Sequence, residues 1–374
     1  MILLVIPLVL LFLYGAFLLL ILYKLKQEKN GDRNKISYFP EFSIIIAARN
    51  EETNICPILD FLRVQKYPAS AFEVIIVDDH SEDDTALITG EYKNVYPGFS
   101  LKLVALGEND TGKKSAIAKG IENALFPWII TTDADCKMEP DWLVAKAEII
   151  HNSNYKLIIS PVFAANVNHL IEKIQQVEWV VLMGLTFGSL RSGFPLMCNG
   201  ANLCYNRSVI DNDLKESLNF KIASGDDLFL LQSVIKNHGS KSIGSALKSV
   251  VYTDVERSFN AILQQKVRWA SKSIYYKDVP TLLYGLLVSF VNLFIVFIPI
   301  LGWFQLLNWG TLGILGLMKI ITDIVFGYFC STRLNQKINI KALIIYALVY
   351  PWYFCGIIFI GIFLKKSWKG RSVK

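Results

Sequence analysis

Long apolar runs without charge lie towards both ends of the chain, on either side of a mixed block. Met1–Tyr23 is long enough, at about 1.5 Å per helical residue, to cross a hydrocarbon core of about 30 Å. Further apolar runs extend from Val279 to about Cys330, with a polar break near Asn308–Gly310, and over Ala342–Leu364. This pattern predicts one N-terminal and about three C-terminal transmembrane helices.

A cleaved signal peptide is the alternative interpretation of the first apolar run. No basic segment precedes the run and no small-x-small site follows it, so we expect an uncleaved anchor. Lys319 and Asp323 are four residues apart within a later run, on one helix face. We expect them to form a structural ion pair that faces other helices, with a substrate path as the alternative.

The middle block, residues 36–278, alternates short apolar strands with helical stretches. The predicted strands are Phe42–Ala48, Glu73–Val77, Leu101–Leu106 and Trp128–Thr132. The predicted helices that follow them are Asn54–Gln65, Asp83–Gly90, Lys113–Ala124 and Asp141–Ile150. Such alternation predicts an α/β fold with a mostly parallel central sheet covered on both faces. Ligands of such a sheet bind beyond the carboxyl ends of its strands.

The same pattern predicts six segments along the chain. They are a transmembrane anchor (1–23), a basic juxtamembrane linker (24–39), an α/β domain (40–254), an amphipathic helix (255–278), C-terminal membrane segments (279–364) and a basic tail (365–374).

The formal net charge of +6 is the sum of two regions of opposite character. From Val279 onwards there are nine basic residues and one acid, whereas residues 36–278 contain 24 basic and 29 acidic residues. The basic excess therefore flanks the apolar runs, and it does not form the basic groove that a nucleic acid requires. This distribution excludes nucleic acid as the partner.

The basic residues between Lys24 and Lys35 predict the membrane orientation of the α/β block. The positive-inside rule places them in the cytoplasm, and the α/β domain with them. Three C-terminal crossings would then put the tail 365–374 outside, although its five basic residues favour the inside. Either one segment is re-entrant or interfacial, or the rule fails for this tail, and both alternatives stay open.

Polar motifs follow each of the four predicted strands. These motifs are Arg49–Glu52, Asp78–Ser81, the loop Gly107–Lys114, and Asp133–Asp135. Because the carboxyl ends of parallel strands meet at one edge of a sheet, four motifs at equivalent ends predict a binding site there.

Two of these motifs are rich in carboxylates. Asp133 and Asp135, separated by one small residue, can turn towards one hard divalent cation such as Mg²⁺ or Mn²⁺, and an ordinary acidic turn is the alternative. Asp78 and Asp79 can accept hydrogen bonds from a ribose or a base N–H group, unless Asp79 only caps the next helix.

The loop Gly107–Lys114, GENDTGKK, is close to the phosphate-binding pattern GxxxxGK[ST]. Lys114 stands where that pattern has a hydroxyl, which argues against a nucleoside triphosphatase. Lys113, at a predicted helix start, remains a candidate for a phosphate contact. Further along, the acids after Ser224-Gly225 include a candidate general base, with helix capping as a compatible role.

Gln265, Arg268 and Trp269 share one face of a helix predicted over Ser258–Tyr276. A cation, an amide and an indole on one face can hold a diphosphate and stack on a sugar. The same residues are also typical of a helix at the membrane interface. Spacing alone favours neither interpretation.

Seven motifs occur in the order typical of one family: FSIIIAARNEE, IIVDDHSEDDT, GKKSAIAKGI, TTDADC, NGANLCYNR, SGDDLFL and QQKVRW. Over residues 40–278 the chain thereby resembles the membrane-anchored family 2 glycosyltransferases. The resemblance implies a GT-A nucleotide-sugar-binding fold and a metal-dependent, inverting sugar transfer. It implies Mg²⁺ or Mn²⁺ as the cofactor and a nucleotide sugar, most typically UDP-linked, as the donor. It also implies an integral protein of a bacterial inner membrane whose catalytic domain is cytoplasmic.

The resemblance also assigns residue roles. It implies Asp227 as the catalytic base, and Asp133 and Asp135 as the metal ligands. The implied donor-binding residues are Arg49, Glu51, Asp78, Asp79, Lys113, Asp133, Gln265, Arg268 and Trp269. The implied acceptor-side residues are Gly200, Asn202, Asp226 and Trp269.

Two features depart from the better-known processive polysaccharide synthases and bear on the acceptor class. The base motif reads Gly-Asp-Asp, and only about three apolar segments follow the domain, which is fewer than a polysaccharide channel requires. The chain therefore looks more like the family members that glycosylate a lipid in the bilayer. A processive polysaccharide synthase is the first alternative, and a non-catalytic nucleotide-sugar-binding membrane protein is the second.

Overall fold

The computed structural model describes residues 2–26, 38–210, 225–271, 275, 278–363, 366–368 and 371–373. Most of the predicted linker 24–39, Ser224 and part of the basic tail 365–374 lie outside these ranges. The helices are α1 (Ile2–Lys26), α2 (Glu52–Arg63), α3 (Thr85–Val95), α4 (Lys113–Glu122), α5 (Trp142–His151), α6 (Leu170–Arg191), α7 (Asp226–His238), α8 (Phe259–Ala270), α9 (Val279–Trp303), α10 (Trp309–Arg333) and α11 (Ile340–Phe363). The strands are β1 (Phe42–Ala48), β2 (Phe72–Asp78), β3 (Leu101–Ala105), β4 (Trp128–Asp133), β5 (Cys136–Met138), β6 (Leu157–Ile159), β7 (Val162–Ala165), β8 (Leu203–Asn206), β9 (Ile243–Ser245), β10 (Val251–Asp254), β11 (Lys366–Trp368) and β12 (Arg371–Val373).

The chain forms two compact units. The membrane unit comprises Met1–Lys29, Asn166–Leu196 and Val255–Ser367, and the sheet unit comprises Asn30–Ala165, Met197–Asp254 and Trp368–Lys374. This division differs from the expected α/β domain 40–254, because residues 166–196 belong to the membrane unit. The apolar half of α6 explains the difference, since α6 packs on the apolar helices α1, α10 and α11.

A seven-stranded sheet with the order β3-β2-β1-β4-β8-β6-β9 forms the centre of the sheet unit. Strands β3, β2, β1 and β4 are parallel, and Phe42 lies opposite both Phe72 and Trp128. Strand β8 runs antiparallel to β4 and β6, and a second sheet has the order β5-β10-β7. The predicted mostly parallel α/β sheet is confirmed.

Strand β1 lies at the centre of the parallel strands. All of its residues except Ala47 are buried, and for this reason its sequence is apolar apart from Ser43 and does not alternate. Helix α4 packs so closely on β1 that a Cβ at Gly120 would overlap Cγ2 of Ile45. The close approach fixes α4, and with it Lys113 at the first position of α4, against the central strand.

Within the described ranges, four helices of the membrane unit are long and apolar enough to cross a membrane. They are Leu4–Lys26, Val279–Trp303, Trp309–Arg333 and Ile340–Gly361. The prediction of one N-terminal and three C-terminal helices is confirmed. Asn308 ends the break between α9 and α10, where its side chain accepts a hydrogen bond from the N–H of Thr311.

Helix α6 is the element of the membrane unit that the apolar pattern did not reveal. It packs on α1, α10 and α11, and its closest approaches are at two glycines, Gly184 and Gly188. A Cβ at Gly184 would overlap Cys330 on α10, and one at Gly188 would overlap Ile21 on α1. Small residues at this four-residue spacing let apolar helices approach closely.

The predicted Lys319–Asp323 ion pair forms within α10, with 2.5 Å between Nζ and Oδ2. Lys319 is completely buried, and the hydroxyl of Tyr14 on α1 donates a hydrogen bond of 2.8 Å to Asp323. The pair therefore faces other helices of the bundle, as the structural interpretation predicted.

Candidate functional site

The loops that follow β1 and β2 are tied together at the end of the sheet. Arg49 is buried, and its guanidinium donates to the carbonyl oxygens of Asp79 and His80 at 2.9 and 3.0 Å. It also pairs with Glu82 at 3.0 Å. Arg49 thus shapes the loop after β2, and its predicted contact with the donor stays a prediction.

Asp78 and Asp79 differ in their access to a ligand. Asp79 is fully buried, and its Oδ2 accepts a hydrogen bond of 2.9 Å from the N–H of Gly112. Asp79 therefore fixes the start of α4 relative to β2. Asp78 is only partly buried and receives long contacts of 3.3 and 3.4 Å from the N–H of Ser81. Of the two carboxylates, Asp78 is the more accessible to a nucleoside.

Two residues at these strand ends have left-handed backbone conformations. They are Asn50, with φ of 53°, and His80, with φ of 54°. Nε2 of His80 lies 3.0 Å from the carbonyl oxygen of Asp110, which connects the loops after β2 and β3. Strained residues of this kind concentrate at functional sites. His80 is not among the residues that the sequence predicts for this site, and its position after two acids and before a serine was the available signal.

Asp133 and Asp135 lie at the end of β4, beside Lys113. The ammonium of Lys113 is 2.5 Å from Oδ1 of Asp133. Oδ2 of Asp135 accepts a hydrogen bond of 2.9 Å from Thr253 on β10. Burial, together with the negative charges of Asp133 and Glu51, raises the pKa of Asp135 to about 6.

Lys113 is the positive centre of the site. Burial acts to lower its pKa, but the charges of Asp133, Asp226 and Asp227 outweigh that effect, so the pKa is raised and Lys113 stays protonated. The residues whose charges interact at this edge of the sheet lie at the starts of α4 and α7, at the end of β4, and in the segments that follow β1 and β4. They are Glu51, Lys113, Asp133, Asp135, Asp226 and Asp227.

The two carboxylates after β4 fit a divalent cation only in part. Among the described residues, no group of three or more His, Cys, Asp or Glu side chains is arranged to hold a metal ion. Asp133 and Asp135 repel each other, and a cation between them would relieve that repulsion. The donor set fits a cation whose remaining positions are filled by diphosphate oxygens and water.

Asp227 lies at the start of α7, and backbone N–H groups of α7 and of Gly200 hold both of its carboxylate oxygens. Oδ1 accepts from Leu228 at 2.8 Å, and Oδ2 accepts from Gly200 at 3.1 Å. The carbonyl oxygen of Gly200 in turn accepts a hydrogen bond of 2.7 Å from Thr131 on β4. Asp227 and the strand that ends at Asp133 are therefore connected through Gly200, a connection that the sequence did not indicate.

Asn202 is completely buried, although the resemblance assigns it to the acceptor side. Its Oδ1 accepts from Trp142 at 3.0 Å and from Lys146 at 2.7 Å. Its Nδ2 donates to the carbonyl oxygens of Pro161 and Ser249 at 2.8 and 2.7 Å. These contacts make Asn202 a support for the turn that begins at Gly200, and its contact with an acceptor stays a prediction.

Gln265, Arg268 and Trp269 lie on α8, in the membrane unit. All three are partly buried, and the ring of Trp269 packs edge-on against Trp179 of α6, with 5.5 Å between the ring centroids. Lys266, between Gln265 and Arg268, is buried. The predicted residues thus belong to two units, one group to the sheet unit and the other, on α8, to the membrane unit.

Two family models match the chain. The model described as "Glycosyl transferase family 2" matches residues 43–212, and the model described as "Glycosyl transferase family group 2" matches residues 128–363, which is more than half of the 374 residues.

Two curated relatives illustrate what the chain is similar to. It is 34% identical over 114 residues to Beta-monoglucosyldiacylglycerol synthase of Synechocystis, a match that covers 30% of this chain and 23% of that protein. It is 28% identical over 143 residues to Poly-beta-1,6-N-acetyl-D-glucosamine synthase of Staphylococcus epidermidis, covering 38% of this chain and 33% of that protein. The chain therefore matches no more than a third of either relative.

The fold is also similar to a solved structure of nearly the same extent. This is a mannosyltransferase from Pyrobaculum calidifontis in complex with GDP-Man and Mn²⁺, with a TM-score of 0.56 and 17% identity. The match covers 94% of this chain and 99% of that one. At this identity the similarity concerns the fold alone.

Proposed function

Because this chain belongs to the glycosyl transferase family group 2, we propose that it moves a sugar from a nucleotide donor to a hydroxyl of a membrane-bound lipid, with inversion at the anomeric carbon. One observation carries the proposal. A protonated lysine, Lys113, lies among the carboxylates Asp133, Asp226 and Asp227 at the end of the parallel strands. Such a site can hold a diphosphate next to a proton acceptor.

The proposed reaction forms one bond and breaks one. The acceptor oxygen bonds to the anomeric carbon while the bond from that carbon to the diphosphate oxygen breaks, and attack from the opposite side inverts the centre. The acceptor proton passes to a carboxylate oxygen of Asp227, and the nucleoside diphosphate leaves with the bonding electron pair. The N–H groups of Gly200 and Leu228 aim this carboxylate.

Lys113 supplies positive charge where negative charge develops on the leaving diphosphate. Asp133 and Asp135 are the residues that would hold a divalent cation, which supplies Lewis-acid stabilisation of that diphosphate when bound. The partly buried Asp78 is suited to a ribose hydroxyl. Arg268 and Trp269 of α8 are proposed to contact the donor diphosphate and the acceptor, on the strength of the QxxRW motif.

A lipid acceptor is favoured by the four membrane-length helices and by the relative that is named as a diacylglycerol glycolipid synthase. The relative named as a polysaccharide synthase keeps a processive reaction as the second candidate. We place the sheet unit on the cytoplasmic side of the membrane, because of the basic residues that follow the first apolar run.

Incubation of membranes containing the protein with radiolabelled UDP- and GDP-sugars, with and without Mn²⁺, tests the proposal. The expected product is a lipid-extractable label that requires Mn²⁺ or Mg²⁺ and carries one added sugar by mass spectrometry. A ladder of products would instead support the processive candidate. The absence of lipid-soluble label with every donor would contradict the lipid-acceptor assignment.

A further inference from the structure

Helix α8 buries a charged residue on the face that packs against other helices of the membrane unit. Lys266 is 4% exposed, and Ile262 and Val267 are buried with it. A lysine is rarely buried to this extent unless it is paired. Its Nζ lies 2.8 Å from Oε2 of Glu178 on α6, and the Glu178 side chain is itself only 12% exposed.

The same lysine also contacts the motif residue Trp269. Nζ of Lys266 lies 4.0 Å from the centroid of the Trp269 ring, within the range of a cation–π interaction. Trp179, which follows Glu178 on α6, packs edge-on against that ring at an interplanar angle of 88°. Two consecutive residues of α6 thus hold the C-terminal half of α8, one through Lys266 and one directly.

Helix α6 can act as a fixed support, because it is held by the apolar helices. Gly184 and Gly188 bring it into close contact with α10 and α1. Val177, adjacent to Glu178, belongs to a buried cluster with Leu343 and Tyr346 of α11. Helix α8 therefore contacts a helix that the membrane helices hold on several sides, and it also packs directly on α11.

We propose that Lys266 and Glu178 are a positioning pair that fixes the indole of Trp269, and thereby the QxxRW face of α8, for sugar transfer. The inference rests on the proposed function and deepens it. Lys266 occupies a position that the QxxRW pattern leaves open, Glu178 lies outside the pattern, and neither residue is assigned contact with a substrate. A buried ion pair contributes little net stability compared with apolar residues, so an orienting role gives a reason for its presence.

The test compares two buried lysine–carboxylate pairs of the membrane unit. Glu178→Gln and Lys266→Met, the two single variants, break the proposed positioning pair, whereas the conservative exchange Lys266→Arg keeps both the ion pair with Glu178 and a cation beside the Trp269 ring. Lys319→Met with Asp323→Asn is the matched control, because it removes a pair of the same chemistry inside α10. All variants are purified as full chains and compared at equal amounts of folded protein.

The first readout does not depend on activity. The protein is labelled with 5-fluorotryptophan, and the Trp269 signal in the ¹⁹F NMR spectrum is assigned with Trp269→Phe. Each of the two single variants is expected to shift or broaden this signal, Lys266→Arg to leave it near the wild-type position, and the control to leave it unchanged. A Trp269 signal that is unaffected by both single variants would overturn the inference, whether or not the protein transfers sugar.

The second readout is transfer to lipid in proteoliposomes. The two single variants are expected to lower kcat about 10- to 100-fold with little change in the donor KM, and Lys266→Arg to keep at least a third of the wild-type kcat. The control should keep the wild-type kcat. Equal losses of kcat in the control and the single variants would contradict the positioning role. A wild-type protein that transfers no sugar would instead contradict the proposed function, and the ¹⁹F result would still decide the inference.

Discussion

Lys146 provides a stability prediction that can be worked out from its surroundings. Its side chain is completely buried, and Nζ donates to Ser160 at 2.9 Å and to Asn202 at 2.7 Å. Burial lowers the pKa of Lys146 from 10.5 to about 7. Since one pKa unit corresponds to about 1.4 kcal/mol, the charged form costs the folded state about 5 kcal/mol.

The sign of the pH dependence follows from proton binding. Between about pH 7 and 10.5 the unfolded chain keeps a proton on Lys146 that the folded chain has lost, so stability rises with pH in this window. Below about pH 7 both states are protonated, and the full cost is present. The wild type should therefore gain about 2 kcal/mol of unfolding free energy relative to Lys146→Met between pH 7 and 9.

Denaturation of the detergent-solubilised full chain, followed by circular dichroism at pH 6, 7, 8 and 9, measures this difference. Other ionisable groups are common to both proteins and cancel. Lys241→Met, at an exposed lysine, removes the same charge and should differ from wild type by less than about 0.5 kcal/mol at every pH. A difference between wild type and Lys146→Met that does not change from pH 7 to 9 would refute the reasoning.

Two further substitutions test the site and the membrane unit. Gly200→Ala would place a methyl group 3.3 Å from Oδ2 of Asp226 and 3.5 Å from Cβ of Asp227. We therefore expect kcat for transfer to lipid to fall about 10- to 100-fold without a change in donor KM. An unchanged kcat would contradict the proposed aiming of the Asp227 carboxylate. Tyr14→Phe removes the hydrogen bond to the buried Asp323, so it should lower the unfolding free energy in detergent by about 1–3 kcal/mol. The control Tyr23→Phe, at an exposed tyrosine, should have no measurable effect on the unfolding free energy.

The parallel half of the sheet could be predicted from the sequence because its strands are buried on both faces. A strand such as β1 then shows a nearly continuous apolar run between polar segments, and each predicted strand of the first half lies within one or two residues of an observed one. The membrane helices could be predicted for a similar reason, since lipid and neighbouring helices both select apolar residues.

Helix α6 could not be predicted from the same pattern. Glu172, Lys173 and Glu178 interrupt its apolar residues, so its mean hydropathy does not mark it as part of the membrane unit. The four-residue spacing of Gly184 and Gly188 was the available signal, and it has meaning only once the helix is known to face other helices.

The residue types of the site could be predicted from the sequence, but the hydrogen-bond partners of those residues could not be predicted. Polar runs such as DD (Asp78-Asp79) and NGAN (Asn199–Asn202) suggest accessible side chains. In the structure, however, Asp79 and Asn202 are fully buried and hold neighbouring loops. Their partners, Gly112 and Lys146, are distant in sequence, and spacing along the chain carries no information about such contacts. Tertiary structure decides which of two adjacent acids is reachable by a ligand.

The account depends most directly on Asp227 as the group that accepts the acceptor's proton. The decisive measurement is transfer of a radiolabelled sugar to extractable lipid by proteoliposomes, with Mn²⁺ present, for the wild type and for Asp227→Asn. The account predicts a singly glycosylated lipid with the wild type and a rate about 10²- to 10⁴-fold lower with the variant, at similar donor binding. Transfer by Asp227→Asn at the wild-type rate would contradict it.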